Sequence, residues 1–226
     1  MTNIGSNVFS GTKYWNRISD GVIYNNNYLL GYKDKVPSHL IVEEGTKLIA
    51  DEALFQAKNL ISITCSSELN YIGKSAFESC ENLESITFNE NLKIIEANCF
   101  SDCKKIKSVS FKNNLNTIGR NAFRGCNQLE SIHLPDGIKS IGSNAFADTS
   151  YWKHCSDNII YINSYLLGCK TIIELSAFFI LNNNIKNLLY CYSPFMERRL
   201  DNSTPSLMSF SNQCRLISRN EIFPAL

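Results

Sequence analysis

The chain repeats itself every 23 residues, and this period restricts the possible folds more than any other feature. Phe77, Phe100, Phe123 and Phe146 recur at that interval, with Leu54 in the same place one step earlier. Ala53, Ala76, Cys99, Ala122 and Ala145 precede them, and Ile49, Ile72, Ile95, Ile118 and Ile141 form a third column. Leu69, Leu92, Leu115 and Ile138 form a fourth, Leu60, Leu83, Ile106 and Leu129 a fifth, and Ile63, Ile86, Val109 and Ile132 a sixth. One such unit has too few apolar side chains to close a core. Stacked units set each column over its own copy and make a continuous interior.

Within a unit, Leu83-Glu84-Ser85-Ile86-Thr87-Phe88 alternates with period 2, the signature of a strand. Ile86 and Phe88 are expected to point inward, Ser85 and Thr87 outward. The stretch between strands is too short for a long helix and suits a second short strand, a turn at Gly73, Gly119 or Gly142, and one irregular turn. The expected architecture is a β-rich solenoid of the α/β class with a parallel strand ladder, one rung per repeat.

These residues resemble a known family. Ile72-Gly73-Lys74-Ser75-Ala76-Phe77-Glu78-Ser79-Cys80-Glu81-Asn82-Leu83 carries the I-G-x-x-A-F-x-x-C-x-x-L marks of the BspA-like, or Treponema pallidum type, leucine-rich repeat. Leu129-x-x-Ile132-x-Leu134-Pro135 supplies its I-x-L-P part. The resemblance is strong over residues 40–150. It implies surface proteins that adhere to host matrix proteins, host cells or other microbes.

A longer duplication frames the array. Ile4-Gly5-Ser6-Asn7-Val8-Phe9 matches Ile141-Gly142-Ser143-Asn144-Ala145-Phe146 at an offset of 137. The match continues through Tyr14-Trp15 with Tyr151-Trp152, Ile23-Tyr24 with Ile160-Tyr161, and Tyr28-Leu29-Leu30-Gly31 with Tyr165-Leu166-Leu167-Gly168. Each block has two β-type segments around an Asn-containing turn, which reads as a hairpin insert. Trp15 and Trp152 are expected to anchor these inserts, at bends where strand pairing is interrupted. The domain reading is a partial repeat plus aromatic hairpin over 1–39, the array over 40–150, a second hairpin insert over 151–170, and a divergent cap or flexible tail over 171–226. A start inside a repeat cycle suggests a piece of a longer parent or an N-terminal repeat without its upstream neighbour.

Charge and composition narrow the function. The chain has 22 Lys+Arg against 21 Asp+Glu, a net charge of +1 that argues against bulk electrostatic binding of nucleic acid or anionic membranes. No apolar run approaches the length of a spanning helix, and the start lacks the basic and apolar regions of a secretory signal. The nine cysteines contain no C-x-x-C, and their odd number rules out complete internal pairing. Cys80, Cys103 and Cys126 share one column, ended by Ala57 and Thr149, and read as small buried fillers rather than metal ligands. Neither H-E-x-x-H, G-x-S-x-G, a Walker-type loop nor G-x-G-x-x-G occurs, so no enzyme, metal site or cofactor is expected.

The outward columns are the candidate partner-binding face. Ser62, Ser85, Ser108 and Ser131 make one ladder, and Thr64, Thr87, Ser110 and His133 the next. Small hydroxyl side chains stack comfortably at rung spacing whether or not a ligand exists, yet solenoids also bind along such faces. Ser85, Thr87, Ser108, Ser110, Ser131 and His133 are therefore the candidate contacts, with Tyr28 and Tyr165 of the inserts added because tyrosine is enriched at binding hot spots. The expected partner is a protein, with neither nucleic acid nor membrane insertion involved. The alternatives are a structural spacer within a longer surface protein, and a cysteine-dependent metal or redox protein.

Overall fold

The computed structural model describes residues 11–13, 17, 19–154, 159–162 and 165–169. They fall into two units, the first within residues 1–157 and the second within 158–226. Expectations for Trp15 and for the cap or tail over 171–226 lie outside the described residues.

In the first unit each repeat supplies two short strands. The ladder strands are β3 (His39–Ile41), β5 (Ser62–Thr64), β7 (Ser85–Thr87), β9 (Ser108–Ser110) and β11 (Ser131–His133). The second strands are β4 (Leu48–Ile49), β6 (Tyr71–Ile72), β8 (Ile94–Ile95), β10 (Thr117–Ile118) and β12 (Ser140–Ile141). Pairing between rungs is parallel and in the 23-residue register, as in Ile49 with Ile72 and Ile72 with Ile95. The chain is a β-solenoid of about five turns.

Turning the chain within 23 residues requires left-handed backbone twice per rung. It occurs at Glu52, Ser75, Asn98, Asn121 and Asn144, with φ of 52–57°. Four residues on it occurs again at Gln56, Ser79, Asp102, Gly125 and Asp148, with φ of 54–74°. Asn, Asp and Gly, which pay least for this conformation, fill six of these ten places. The turns aim alternate amides along the stack: Ser75, Phe77 and Ser79 donate to the carbonyls of Ala97, Cys99 and Ser101 at 3.0, 2.8 and 2.8 Å. Backbone that would otherwise be buried without partners is thereby satisfied. The rungs come so close here that a Cβ at Gly119 would run into the backbone of Glu96 and Ala97.

The core follows the columns. Phe77, Phe100, Phe123 and Phe146 are buried and stack face to face, with ring centroids 5.0, 5.1 and 5.4 Å apart. That spacing slightly exceeds the roughly 4.8 Å between paired strands.

The ladder has a seam. The second strands form one continuous sheet, but the ladder divides into β3-β5-β7 and β9-β11. Between β9 and β11 the Glu130 amide donates to Lys107 and the Phe111 amide to His133. Among the described residues, the equivalent bonds from the Lys107 amide to Glu84 and from the Phe88 amide to Ser110 are not made. The rungs on either side are the two that carry Phe where their neighbours carry Cys65 and Leu134, and the Phe88 and Phe111 rings lie 5.2 Å apart and tilted by 31°. This bulky pair fills the inward end of both strands and accounts for their separation. Ile86, expected to point inward, is consequently half-exposed, whereas Ile63, Val109 and Ile132 are buried.

At the other end, β1 (Gly21–Asn25) and β2 (Tyr28–Lys33) form an antiparallel hairpin, with Asn26 left-handed in its turn. Strand pairing is not interrupted there, contrary to expectation: β2 pairs parallel with β4, Tyr28 against Leu48 and Leu29 against Ile49. The reason is that Leu29, fully buried, takes the place of the inward Ile column, so β2 substitutes for a second strand. Tyr24 and Tyr32 fasten the hairpin to the array. The Tyr24 hydroxyl accepts from the Glu43 amide at 3.4 Å, and Tyr32 donates to the Phe55 carbonyl at 3.3 Å.

The last rung ends in a helical turn, α1 (Ser150–His154), rather than in extended chain. Thr149 caps it: its hydroxyl accepts from the Trp152 amide at 3.0 Å and donates to the Phe146 carbonyl at 2.8 Å. Trp152 lies half-buried in this turn. In the second unit, β13 (Ile159–Ile162) and β14 (Tyr165–Cys169) form an antiparallel hairpin. Its register shifts between Ile160 and Tyr161, as that of the first hairpin does between Ile23 and Tyr24, so the 137-residue duplication extends to backbone detail.

Candidate partner-binding face

The alternation of each ladder strand sends its central residue inward and its two flanking residues outward. Ser85, Thr87, Ser108, Ser110 and His133 are exposed, and Ser131 is half-buried. The register aligns Ser62 with Ser85 and Thr64 with Thr87 on one side of the seam. It aligns Ser108 with Ser131 and Ser110 with His133 on the other. The predicted ladder residues are thus brought together, on two plates rather than one.

The same register adds two residues. His39 pairs with Ser62 and Ile41 with Thr64, which extends both columns by a rung. The His39 Nδ1 lies 2.7 Å from the Ser62 hydroxyl, and Ile41 is 75% exposed in a column otherwise filled by hydroxyls and an imidazole. Sequence reasoning missed them because no Ala-Phe pair precedes them, although stepping back 23 residues from Ser62-Ile63-Thr64 reaches His39-Leu40-Ile41. At the far end the His133 Nδ1 lies 3.5 Å from the Ser131 hydroxyl.

Tyr28 does not join this face. It is half-buried on β2, in the seven-stranded sheet. Tyr165 opens β14 in the second unit, and its side chain lies outside the described residues.

The thiols sit in an environment that suppresses their chemistry. Cys80, Cys103 and Cys126 donate to the carbonyls of Leu54, Phe77 and Phe100 at 3.1, 3.1 and 3.2 Å, each reaching back one rung. These three, with Cys65 and Cys99, are free thiols. Burial holds Cys99 and Cys103 well above the ordinary thiol range, raises Cys126 too, and pushes Cys65 up to about 12. A thiol kept protonated is neither a good nucleophile nor a metal ligand. Among the described residues no three His, Cys, Asp or Glu side chains come together as a metal site, and no helix is long and apolar enough to cross a membrane. The face offers hydroxyls, imidazoles and one aliphatic side chain, a set suited to recognition by contact.

The family description "BspA type leucine rich repeat region" matches six copies, spanning residues 1–106, 26–153 and 95–193. No curated protein matches the chain. Among solved structures, a Treponema pallidum leucine-rich repeat protein is similar with a TM-score of 0.54 and 24% identity, over 59% of this chain and 65% of that one. A leucine-rich cell surface protein from Faecalibacterium prausnitzii has a TM-score of 0.46 and 21% identity, over 66% of this chain and 35% of that one. The pneumococcal vaccine antigen PcpA has a TM-score of 0.46 and 22% identity, over 54% and 29%. The matched part is less than two thirds of each of these proteins, and the likeness to the Treponema pallidum protein is one of fold alone.

Proposed function

We propose, because this chain belongs to the BspA type leucine-rich repeat family, that it is a non-catalytic scaffold binding a protein partner through its outward ladder. One observation carries this reading. Ser85 and Thr87, extended by His39 and Ile41, stand in rung register on one plate, and Ser108, Ser110, Ser131 and His133 on the other, on strands whose central residues face the core. The partner class is a host matrix or cell-surface protein, or a protein of another microbe, and the setting is a cell surface or the extracellular space. That part is supported by the family resemblance. The array over 40–150 is the binding body, with the hairpin inserts of 1–39 and 151–170 framing it, 171–226 serving as cap or tail, and Tyr28 and Tyr165 giving secondary contacts.

The test is capture of the full chain on immobilised extracellular-matrix proteins and on host-cell extract. Wild-type protein is expected to bind saturably, and Thr87→Lys combined with His133→Glu to weaken binding at least about tenfold, as hot-spot substitutions of about 2 kcal/mol do. Unchanged binding by a variant with an unchanged melting curve would remove the ladder from the interface. Absence of saturable binding to any matrix protein or extract favours the spacer alternative.

A further inference from the structure

One junction of the solenoid is tied unlike the rest. Between the rungs of β7 and β9 the turns stay bonded, since the Ser75, Phe77 and Ser79 amides donate to the carbonyls of Ala97, Cys99 and Ser101. The second strands stay bonded as well, Ile94 with Thr117 and Ile95 with Ile118. Only the ladder side lacks backbone bonds, with the Phe88 and Phe111 rings at the inward end of its strands. Three ion pairs stand in their place: Glu81 with Lys104 at 2.8 Å, Glu84 with Lys105 at 3.7 Å, and Glu90 with Lys112 at 3.6 Å. Elsewhere among the described residues of the array, ion pairs between rungs stand singly, Lys47 with Glu68 and Arg124 with Asp148. Glu81 and Glu84 precede β7 and Glu90 follows it, while Lys104 and Lys105 precede β9 and Lys112 follows it, so the pairs close both ends of the gap. Their side chains are 46–67% exposed, which leaves each pair open to screening by salt.

We propose that this junction is a hinge: the ladder side opens and closes about the tied turns and second strands, and the three ion pairs latch it shut. A hinge needs one side free to part while the others stay continuous, and among the described ladder strands only β7 and β9 meet that condition. Opening separates exposed charges, so ionic strength governs it: the screening length falls from about 10 Å at 0.1 M salt to about 3 Å at 1 M, down to the length of the pairs themselves. Opening also uncovers more of Ile86, already half-exposed, and the burial of that apolar surface favours the closed state. In the partner-binding reading above, on which this consequence rests, the hinge sets the distance from Ser85 and Thr87 on one plate to Ser108 and Ser110 on the other. A partner spanning both plates selects one angle, and salt changes how often that angle is offered.

Residue-resolved hydrogen exchange of the full chain without a partner tests this, at about 20 mM and about 500 mM monovalent salt, where screening lengths differ several-fold. The Ser79 and Asn116 amides, bonded to Ser101 and Lys93 at 2.8 Å each, are the ties that flank the gap. The Gln56 and Lys139 amides, bonded to Glu78 and Asn116 at 2.9 and 2.8 Å, make the same bonds at other rungs and cancel the direct effect of salt on exchange. Relative to these, Ser79 and Asn116 should exchange at least about fivefold faster at high salt. Glu81→Gln with Glu84→Gln and Glu90→Gln should show the fast ratio already at low salt, with no further response. Phe88→Leu with Phe111→Leu, which removes the bulky pair, should slow the Phe88 and Lys107 amides and abolish the salt response. The glutamine variant changes only exposed side chains, so the test stands even where the leucine pair weakens the core. A wild-type ratio insensitive to salt overturns the proposal, as does a change shared equally by all rungs or a glutamine variant that keeps the wild-type ratios. Because the free chain is measured, failure to bind matrix proteins leaves this result untouched, and a failed hinge leaves the binding test untouched.

Discussion

Titrated from pH 8 to pH 11 under reducing conditions, the protein is expected to unfold cooperatively before the end of the titration. Cys99, Cys103 and Cys126 are fully buried and their thiols are raised in the fold, chiefly by burial. In the unfolded chain they titrate near an ordinary value of about 8.5. Below that value both states hold the proton and nothing is lost. Above it the unfolded chain has released protons that the fold retains, so stability falls as pH rises until the folded thiols titrate. Each thiol contributes a loss of about 1.4 kcal/mol per pH unit, or about 4 kcal/mol per unit for three. Two units remove about 8 kcal/mol, comparable with the whole stability of a typical domain, about 5–15 kcal/mol. Far-ultraviolet circular dichroism follows the transition, and Cys103→Ala should move it to higher pH. Stability that stays level between pH 8.5 and pH 10.5 in urea unfolding would mean that these thiols are not held neutral by the fold.

Phe100→Ala is expected to cost about 3–5 kcal/mol, the range for truncating a fully buried aromatic. Phe100 has no exposure and is sandwiched between Phe77 and Phe123, with Phe88 edge-on at 6.0 Å. Its removal opens the stack at the level of the seam, where β7 and β9 give no ladder hydrogen bonds to hold the rungs together. Ser85→Ala, on the exposed face, should change stability by no more than about 0.5 kcal/mol. Urea unfolding of both variants beside the wild type gives the two numbers, and equal losses would reverse the inward and outward assignment.

The solenoid was legible because its cause is periodic. A column such as Ile49, Ile72, Ile95, Ile118 and Ile141 states its own stacking partner, and the structure pairs those residues strand on strand. Departures from the period were harder to read. The seam depends on two successive phenylalanines in a column that elsewhere holds Cys65 and Leu134, a steric difference that apolar patterning treats as equivalent. The docking of β2 depends on Leu29 standing in for an isoleucine outside the regular spacing, only 20 residues before Ile49. His39 and Ile41 were within reach of the period, but they follow the insert, where no Ala-Phe pair marks the register. The candidate face was therefore legible as columns, while its division into two plates came only with the backbone pairing.

Residue-resolved hydrogen exchange in the native state tests the rung architecture most directly. The amides of Phe77, Phe100 and Phe123, each bonded to the next rung, should be slow and recur every 23 residues. The ladder amides of Cys65, Phe111 and Glu130 should be slow as well, whereas those of Phe88 and Lys107, facing each other's rung across the seam, should exchange much faster. Protection without the 23-residue recurrence, or Phe88 and Lys107 as slow as Phe111 and Glu130, would contradict this account of the array.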